Sequence, residues 1–395
     1  MTVGHVGPMV GEYLDAGIPF LRSQNIKPFR IDVEGVKFIS DEFNRRLKKS
    51  ALSPGDVVVV RTGYPGTAAV IPHELPVANC ADLVVITPGT RIDAFFLSAL
   101  FNSTWGLSAV SGRLVGSAQQ HFNVAAARSL QVHLPPLPTQ RKIAAVLSAY
   151  HDLIENNNRR TKILEDIAQR IYREWFVEFR YPGYENVPLV DSTLGSVPAA
   201  WTVQSFADLG EYVNGYAFKP TDWGESGRPI VKIRELKTGV TSETPRYAAN
   251  LPGKFDVRDG DLLFSWSADL DAYLWTGGPA WLNQHLFRVD PRPGIQRSWL
   301  YHSLRERMPE FRARAQGTTM RHIKRAALTQ VTVVKPVPAA MDKFATVVEP
   351  IDALVLSLVA ATRALREARD LLLPRLISGD IDLDDLHIEV PEVAA

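Results

Sequence analysis

Residues 139–181, "TQRKIAAVLSAYHDLIENNNRRTKILEDIAQRIYREWFVEFRY", contain neither proline nor glycine and follow the proline cluster "LPPLP" at 134–138. Those two residue types most disfavour a helix interior. Their absence over so long a run predicts one uninterrupted helix near the middle of the chain, ~60 Å long at ~1.5 Å per residue. Within it Ile143, Leu147, Tyr150, Ile154, Asn157, Thr161, Leu164, Ala168, Ile171 and Trp175 recur at alternating steps of four and three. That spacing is a helix-pairing seam, polar only at Asn157 and Thr161. Val146, Leu153, Ile167, Tyr172, Phe176 and Phe179 are further apolar positions that one partner helix leaves open.

The partner is in the same chain, because the chain repeats itself. "GIPFLRSQNI" from Gly17 matches "GRPIVKIREL" from Gly227, and "LSPGDVVVVRTG" from Leu52 matches "VRDGDLLFSWSA" from Val257. "DAFFLSALFNS" from Asp93 matches "SWLYHSLRERM" from Ser298, and "GSAQQHFNVAAARSLQVHLPPLP" from Gly116 matches "GTTMRHIKRAALTQVTVVKPVP" from Gly317. A second seam runs through Phe344, Val347, Ile351, Leu354, Leu358, Ala361, Leu365, Ala368 and Leu372, with Pro350 as either a break or the true helix start. Leu164 and Leu365 lie 201 positions apart, at the repeat offset.

Each block holds short β-branched runs (Val57–Val60, Leu83–Ile86, Leu262–Phe264, Leu286–Val289) and a short amphipathic helix. The expected fold class is α+β: two similar α/β domains joined by two long antiparallel coiled-coil helices with pseudo-twofold internal symmetry. The expected segments are a first domain at 1–138, a long helix at 139–180, a second domain at 181–338, a long helix at 339–383 and a tail at 384–395. The first block lacks a counterpart of "WTVQSFADLG", residues 201–210. Either the start is misassigned or the C-terminal end of the chain supplies the piece.

Composition excludes several classes. With 46% hydrophobic and 22% charged residues the chain is a folded globular protein. The single cysteine, Cys80, rules out a disulfide framework and fits a reducing compartment. In its apolar run it reads as a core residue. No leader pattern opens the chain and no apolar run reaches the length of a membrane span, so a cytoplasmic protein without membrane contact is expected.

Catalytic signatures are missing as well. There is no phosphate-binding glycine loop, no nucleophile elbow, no H-x-x-x-H or C-x-x-C. The amino-methyltransferase tetrapeptide [DNS]-P-P-[YFW] is also absent. His121 and His322 fall at matched repeat positions and read as structural. Glu235-Leu236-Lys237 has no Pro-Asp partner upstream and is no nuclease motif. The pattern is that of a binder.

A net charge of +1 does not decide the ligand, but local clusters do point. "LRERMPEFRARAQGTTMRHIKR", residues 304–325, holds seven Lys or Arg against two Glu, and "FNRRLKKS", residues 43–50, holds four basic residues. Such patches grip phosphate without reading sequence. Reading needs side chains that pair with base edges. The repeated loops offer Arg22, Gln24 and Asn25; Arg61 and Tyr64; Gln119 and Gln120; then Arg234, Arg321 and Lys324.

The strap and helix "LPPLPTQRKIAAVLSAYHDLIENNNRRTKILEDIAQRIYREWFVEF" closely resemble the central conserved region of type I restriction–modification specificity subunits. "RDLLLPRLISGDIDL", from Arg369, resembles their distal conserved region, and "GIPFLRSQNI", "LSPGDVVVVRTG" and "GTTMRHI" resemble pieces of their target-recognition domains. The resemblance spans essentially the whole chain. It implies a non-catalytic subunit in which each block reads one half of a split site in double-stranded DNA. The helices would set the unread gap and dock two methyltransferase subunits. Those partners would bind S-adenosylmethionine, leaving no cofactor on this chain, and restriction subunits would be optional further partners. The competing readings are a stand-alone enzyme with a duplicated domain and a scaffold joining two proteins.

Overall fold

The computed structural model describes residues 1–115, 121–132, 134–241, 243–317, 322–383 and 386–390. The chain forms two compact units: residues 1–154 with 365–395, and residues 155–364. Compactness therefore divides the chain differently from the five expected segments. Each long helix contributes to both units, and the distal end of the chain belongs to the first.

The two units are built alike, strand for strand. In the first, one sheet runs Thr2–Val3, Leu83–Ile86, Val57–Val60, Ala68–Val70, all antiparallel. In the second, the same order is Gly210–Asn214, Leu286–Pro291, Leu262–Ser265, Asp271–Leu274. A second sheet runs Lys37–Ile39, Ile18–Leu21, Ala78–Cys80, Ala51–Leu52, with its central pair parallel. Its counterpart runs Arg246–Tyr247, Arg228–Val231, Ala280–Leu282, Asp256–Val257, again with a parallel central pair. The runs Val57–Val60 and Leu83–Ile86 are buried throughout, which is why they read as continuous apolar stretches without alternation. Matched glycines mark the exit of the edge strand. A Cβ on Gly4 would sit 2.9 Å from Asp82 N, and one on Gly215 would sit 2.1 Å from Asn283 O, so only glycine lets the backbones approach this closely.

The central helix runs Leu137–Phe176 and the distal helix Pro338–Ser378. The distal helix passes through Pro350, so that proline is neither a break nor the start. In the first unit Ile143, Ala144 and Leu147 pack with Leu373 and Leu376 around Phe96. In the second, Tyr172 and Phe176 pack with Met341, Phe344 and Val348 around Trp299. The start of one helix thus meets the end of the other, the antiparallel sense expected.

The seam of the distal helix follows the expectation in part. Phe344 and Leu358 are buried, but Val347 and Leu354 are exposed, whereas Val348, Asp352 and Thr362 are buried, so at those turns the inward stripe lies one position further along. The helix faces a globular block as well as its partner, and that wider contact fixes its rotation. For the same reason Tyr172 and Phe176 are buried rather than open, whereas Leu153 and Ile167 are exposed.

By length and composition the distal helix could cross a membrane, with an 18-residue window of mean hydropathy 1.8. The expectation that no run reaches that length is corrected here. Asp352 on this helix accepts a hydrogen bond from the buried His302 ring, so this part of the helix packs on its own block.

Candidate nucleic-acid interface

In each unit the loops that leave the sheet strands at one edge are tied together by the same chain of bonds. In the first, Ala81 N–H donates to Leu21 O at 2.9 Å, which joins the loop after Leu21 to the loop after Cys80. Arg61 Nη1 lies 2.8 Å from Asp82 Oδ1, and Thr62 Oγ1 donates to Asp82 Oδ2 at 2.7 Å. Phe122 N–H donates to Arg61 O at 3.0 Å, fixing the hairpin whose base is the Val115–His121 bridge. In the second unit Asn283 N–H donates to Val231 O at 3.2 Å, Ser267 Oγ lies 3.3 Å from His285 Nδ1, and Ile323 N–H donates to Trp266 O at 3.0 Å. The hairpin there closes on the Gln316–His322 bridge. His121 and His322 are matched because their backbones close matched hairpins.

One frame thus carries different chemistry in its two copies. Where the first unit has the Arg61–Asp82–Thr62 cluster, the second has Trp266, Ser267 and His285, with ring centroids of Trp266 and His285 5.8 Å apart. The loop after the parallel strand shows the same pattern. Arg22 sits over the Tyr13 ring at 5.8 Å and Lys232 sits over Trp223 at 4.8 Å. Arg22 N–H donates to Asn25 Oδ1 at 3.0 Å, as Lys232 N–H donates to Glu235 Oε2 at 3.0 Å.

These bonds sort the candidate residues. Asn25 is 1% exposed and also donates from Nδ2 to Asp32 O, so its amide shapes the loop and presents no free edge. Glu235 caps its own turn and is equally buried, far from any nuclease role. Arg61, whose side chain is 13% exposed, donates from Nε to Phe122 O and holds the hairpin. It is positioned as a brace, unlike the free base reader expected. Gln24 and Lys324 are exposed, and Tyr64 is 84% exposed. Arg234 is exposed and paired with Glu243 at 2.5 Å. Gln119, Gln120 and Arg321 lie outside the described residues.

In the basic run at 304–325, Arg312, Arg314, Lys324 and Arg325 are exposed, yet several guanidiniums bond to oxygens of their own chain. Arg305 donates to Tyr301 Oη, Arg312 to Leu270 O, Arg325 to Tyr212 O, and Arg307 pairs with Glu310. Burial holds the Glu165 carboxyl above its ordinary range despite nearby Arg305. In the first block, Lys48 and Lys49 are exposed. The reading missed Lys232 with Trp223, Trp266 and His285; the repeat offset that aligns Gly17 with Gly227 would have placed Lys232 opposite Arg22. Arg22 Nε and Trp266 Nε1 are buried donors without a partner among the described residues. Among those residues no group of His, Cys, Asp or Glu is placed to hold a metal.

Comparison with known proteins agrees with this picture. The family model described as "Type I restriction modification DNA specificity domain" matches residues 11–166. The type I restriction enzyme MjaIX specificity subunit of Methanocaldococcus jannaschii is 21% identical over 397 residues, covering 95% of this chain and 90% of that one. The HindI specificity subunit of Haemophilus influenzae is 21% identical over 429 residues, covering 90% and 92%. Among solved structures, a type I restriction–modification S subunit from M. genitalium superposes with a TM-score of 0.56 at 12% identity, over 95% of this chain and 92% of that one. The chain thus has a duplicated loop frame with divergent side chains, and it is similar to type I restriction–modification specificity subunits in sequence over residues 11–166 and in fold over nearly its whole length.

Proposed function

We propose that each unit reads one half of a bipartite site in double-stranded DNA through its strand-exit loops, while the paired helices set the unread gap. The observation that carries this reading is the duplicated frame. Matching links, from Leu21 through Ala81–Asp82 and Arg61 to Phe122, and from Val231 through Asn283–His285 and Trp266 to Ile323, hold different side chains in each unit. A constant frame with interchangeable tips is what sequence reading requires, because phosphate contacts position a protein and base edges specify. Gln24, Tyr64, Gln119 and Gln120 belong to one half; Lys232, Arg234, Arg321 and Lys324 belong to the other.

In this role the chain is the recognition component and makes or breaks no bond itself. Methylation of adenine falls to methyltransferase subunits that bind S-adenosylmethionine, and cleavage to restriction subunits. Leu153, Ile163 and Ile167 on the central helix and Val347, Leu354 and Leu371 on the distal helix are exposed apolar side chains. Such positions suit a docking surface for the methyltransferases. The segments 1–138 and 181–338 act as recognition domains, with 139–180 and 339–383 as the spacer and 384–395 as a tail.

The test is co-expression with a methyltransferase subunit encoded beside this chain, followed by mapping of methylated adenines. A single stable complex and one split motif are expected. Methylation without a split motif, or no complex, would refute the reading.

A further inference from the structure

Two cations outside the basic runs hold matching places in the two units. Arg22 is the first residue after the strand Ile18–Leu21, and Lys232 is the first after the strand Arg228–Val231. Arg22 lies over the ring of Tyr13, and Lys232 over that of Trp223. Cation and ring each stand 210 positions from their counterparts. The rings are also set by the same bond. Leu14 N–H, next to Tyr13, donates to Phe38 O at 2.9 Å, and Gly224 N–H, next to Trp223, donates to Arg246 O at 2.9 Å. Phe38 and Arg246 stand on matching edge strands of the second sheets.

Neither charge is neutralised. Arg46, Arg61 and Arg234 pair with Glu12, Asp82 and Glu243. Among the described residues Arg22 and Lys232 have no carboxylate partner, and Arg22 Nε has no acceptor. A carboxylate would cancel the charge, whereas the negative face of an aromatic ring orients a cation and leaves its charge whole. Both cationic side chains are partly exposed and Trp223 is 48% exposed, so an anion can approach them.

This pairing is kept in both units, unlike the Arg61–Asp82–Thr62 cluster of one and the Trp266–Ser267–His285 cluster of the other. A device that serves both units alike answers to something that both halves of a DNA site present alike. Arg and Lys share positive charge rather than a donor geometry. The feature of a duplex that answers to charge alone, whatever the sequence, is the phosphate backbone.

We infer that Tyr13–Arg22 and Trp223–Lys232 are duplicated phosphate clamps. Each cation, steadied by its ring, grips a backbone phosphate and sets the register of the reading loops of its own unit; neither reads a base. The assignment rests on the DNA-reading function proposed above, and gives Arg22 the task of gripping in place of reading.

The experiment measures duplex binding by the full-length chain co-expressed with its methyltransferase subunit, for Arg22→Gln, Lys232→Gln and the double variant. A duplex carrying the methylated motif and a scrambled duplex are titrated over a series of salt concentrations. Each single change should weaken both duplexes by the same factor and lower the slope of log K against log salt by ~1, and the double change by ~2. The melting temperature and the methylated motif should stay as they were. Arg22→Lys and Lys232→Arg, which keep the charge, should retain both slope and affinity. A loss confined to the motif duplex, or a motif relaxed at one base, would make the residue a reader and overturn the assignment. An unchanged slope would overturn it too, and with a lowered melting temperature would make the pair a brace of the loop. Failure of the unaltered complex to bind either duplex at any salt would refute the DNA-reading function, and the assignment with it.

Discussion

His302 Nε2 lies 3.2 Å from Asp352 Oδ1, while Nδ1 of the same ring lies 3.1 Å from Gln169 Oε1. The ring is 1% exposed and ties both long helices to the short helix Arg297–Glu306. The first unit has no such node: aligning the N-caps of the matching short helices, Asp93 and Gln296, puts Ala99 at the position of His302. A buried polar group that loses its partner costs about 1–3 kcal/mol. His302→Ala and Asp352→Ala should each destabilise the second unit by that amount, and the double variant by less than the sum. Hydrogen exchange reads this directly. Protection should fall in Leu262–Ser265 and persist in Val57–Val60.

Arg61 and Tyr64, three positions apart, should behave in opposite ways. Arg61→Ala removes the links to Asp82 and Phe122 O. It should lower stability by about 1–2 kcal/mol, discounted because Asp82 is partly exposed. Tyr64→Ala should leave the melting temperature unchanged and weaken binding of the cognate duplex by ~1–3 kcal/mol. Thermal melts and duplex titrations of the two variants separate brace from reader.

Burial pushes the Cys80 thiol up to about 12, with Asp56 adding to the effect. In an unfolded chain a thiol titrates near ~8.5. The folded value is the higher one, so this contribution to stability is complete below pH ~8.5 and is lost as pH rises towards about 12. Cys80 should therefore resist thiol reagents at pH 8.5 in the native protein and react at once in urea. Fast native labelling would contradict the buried placement.

The helices are proposed as the ruler, and their length can be changed. Four residues inserted after Asn157 and four after Leu358 add ~6 Å to each helix and nearly preserve its facing. At ~3.4 Å per base pair the gap in the methylated motif should widen by one or two pairs, with both half-sites unchanged. Two-residue insertions turn each helix by ~200° and should abolish assembly. An unchanged gap in the active four-residue variant would mean that another element sets the spacing.

Much of the architecture was legible because it is periodic. The strands at 57–60 and 83–86 declared themselves as β-branched runs, and the absence of proline and glycine from 139 to 181 declared the central helix. What sequence spacing could not supply was rotation. Heptad steps placed Val347 and Leu354 inward, whereas contact with the globular block turned Val348 and Asp352 inward instead. Charge was legible only as composition. Arg305, Arg312 and Arg325 looked like a phosphate-binding patch, yet each guanidinium finds an oxygen of its own chain. Asn25 and Arg61 were chosen for their hydrogen-bonding capacity, and the loops themselves use that capacity.

The most direct test of the account replaces residues 1–133 with the equivalent block of a related specificity subunit and maps methylated adenines in cells carrying the matching methyltransferase. Because each unit holds its own strand-exit loops on its own sheets, one half of the motif should change to that of the donor. The other half and the gap should stay as they were. A motif in which both halves change, or neither does, would contradict the claim that the two units read DNA independently.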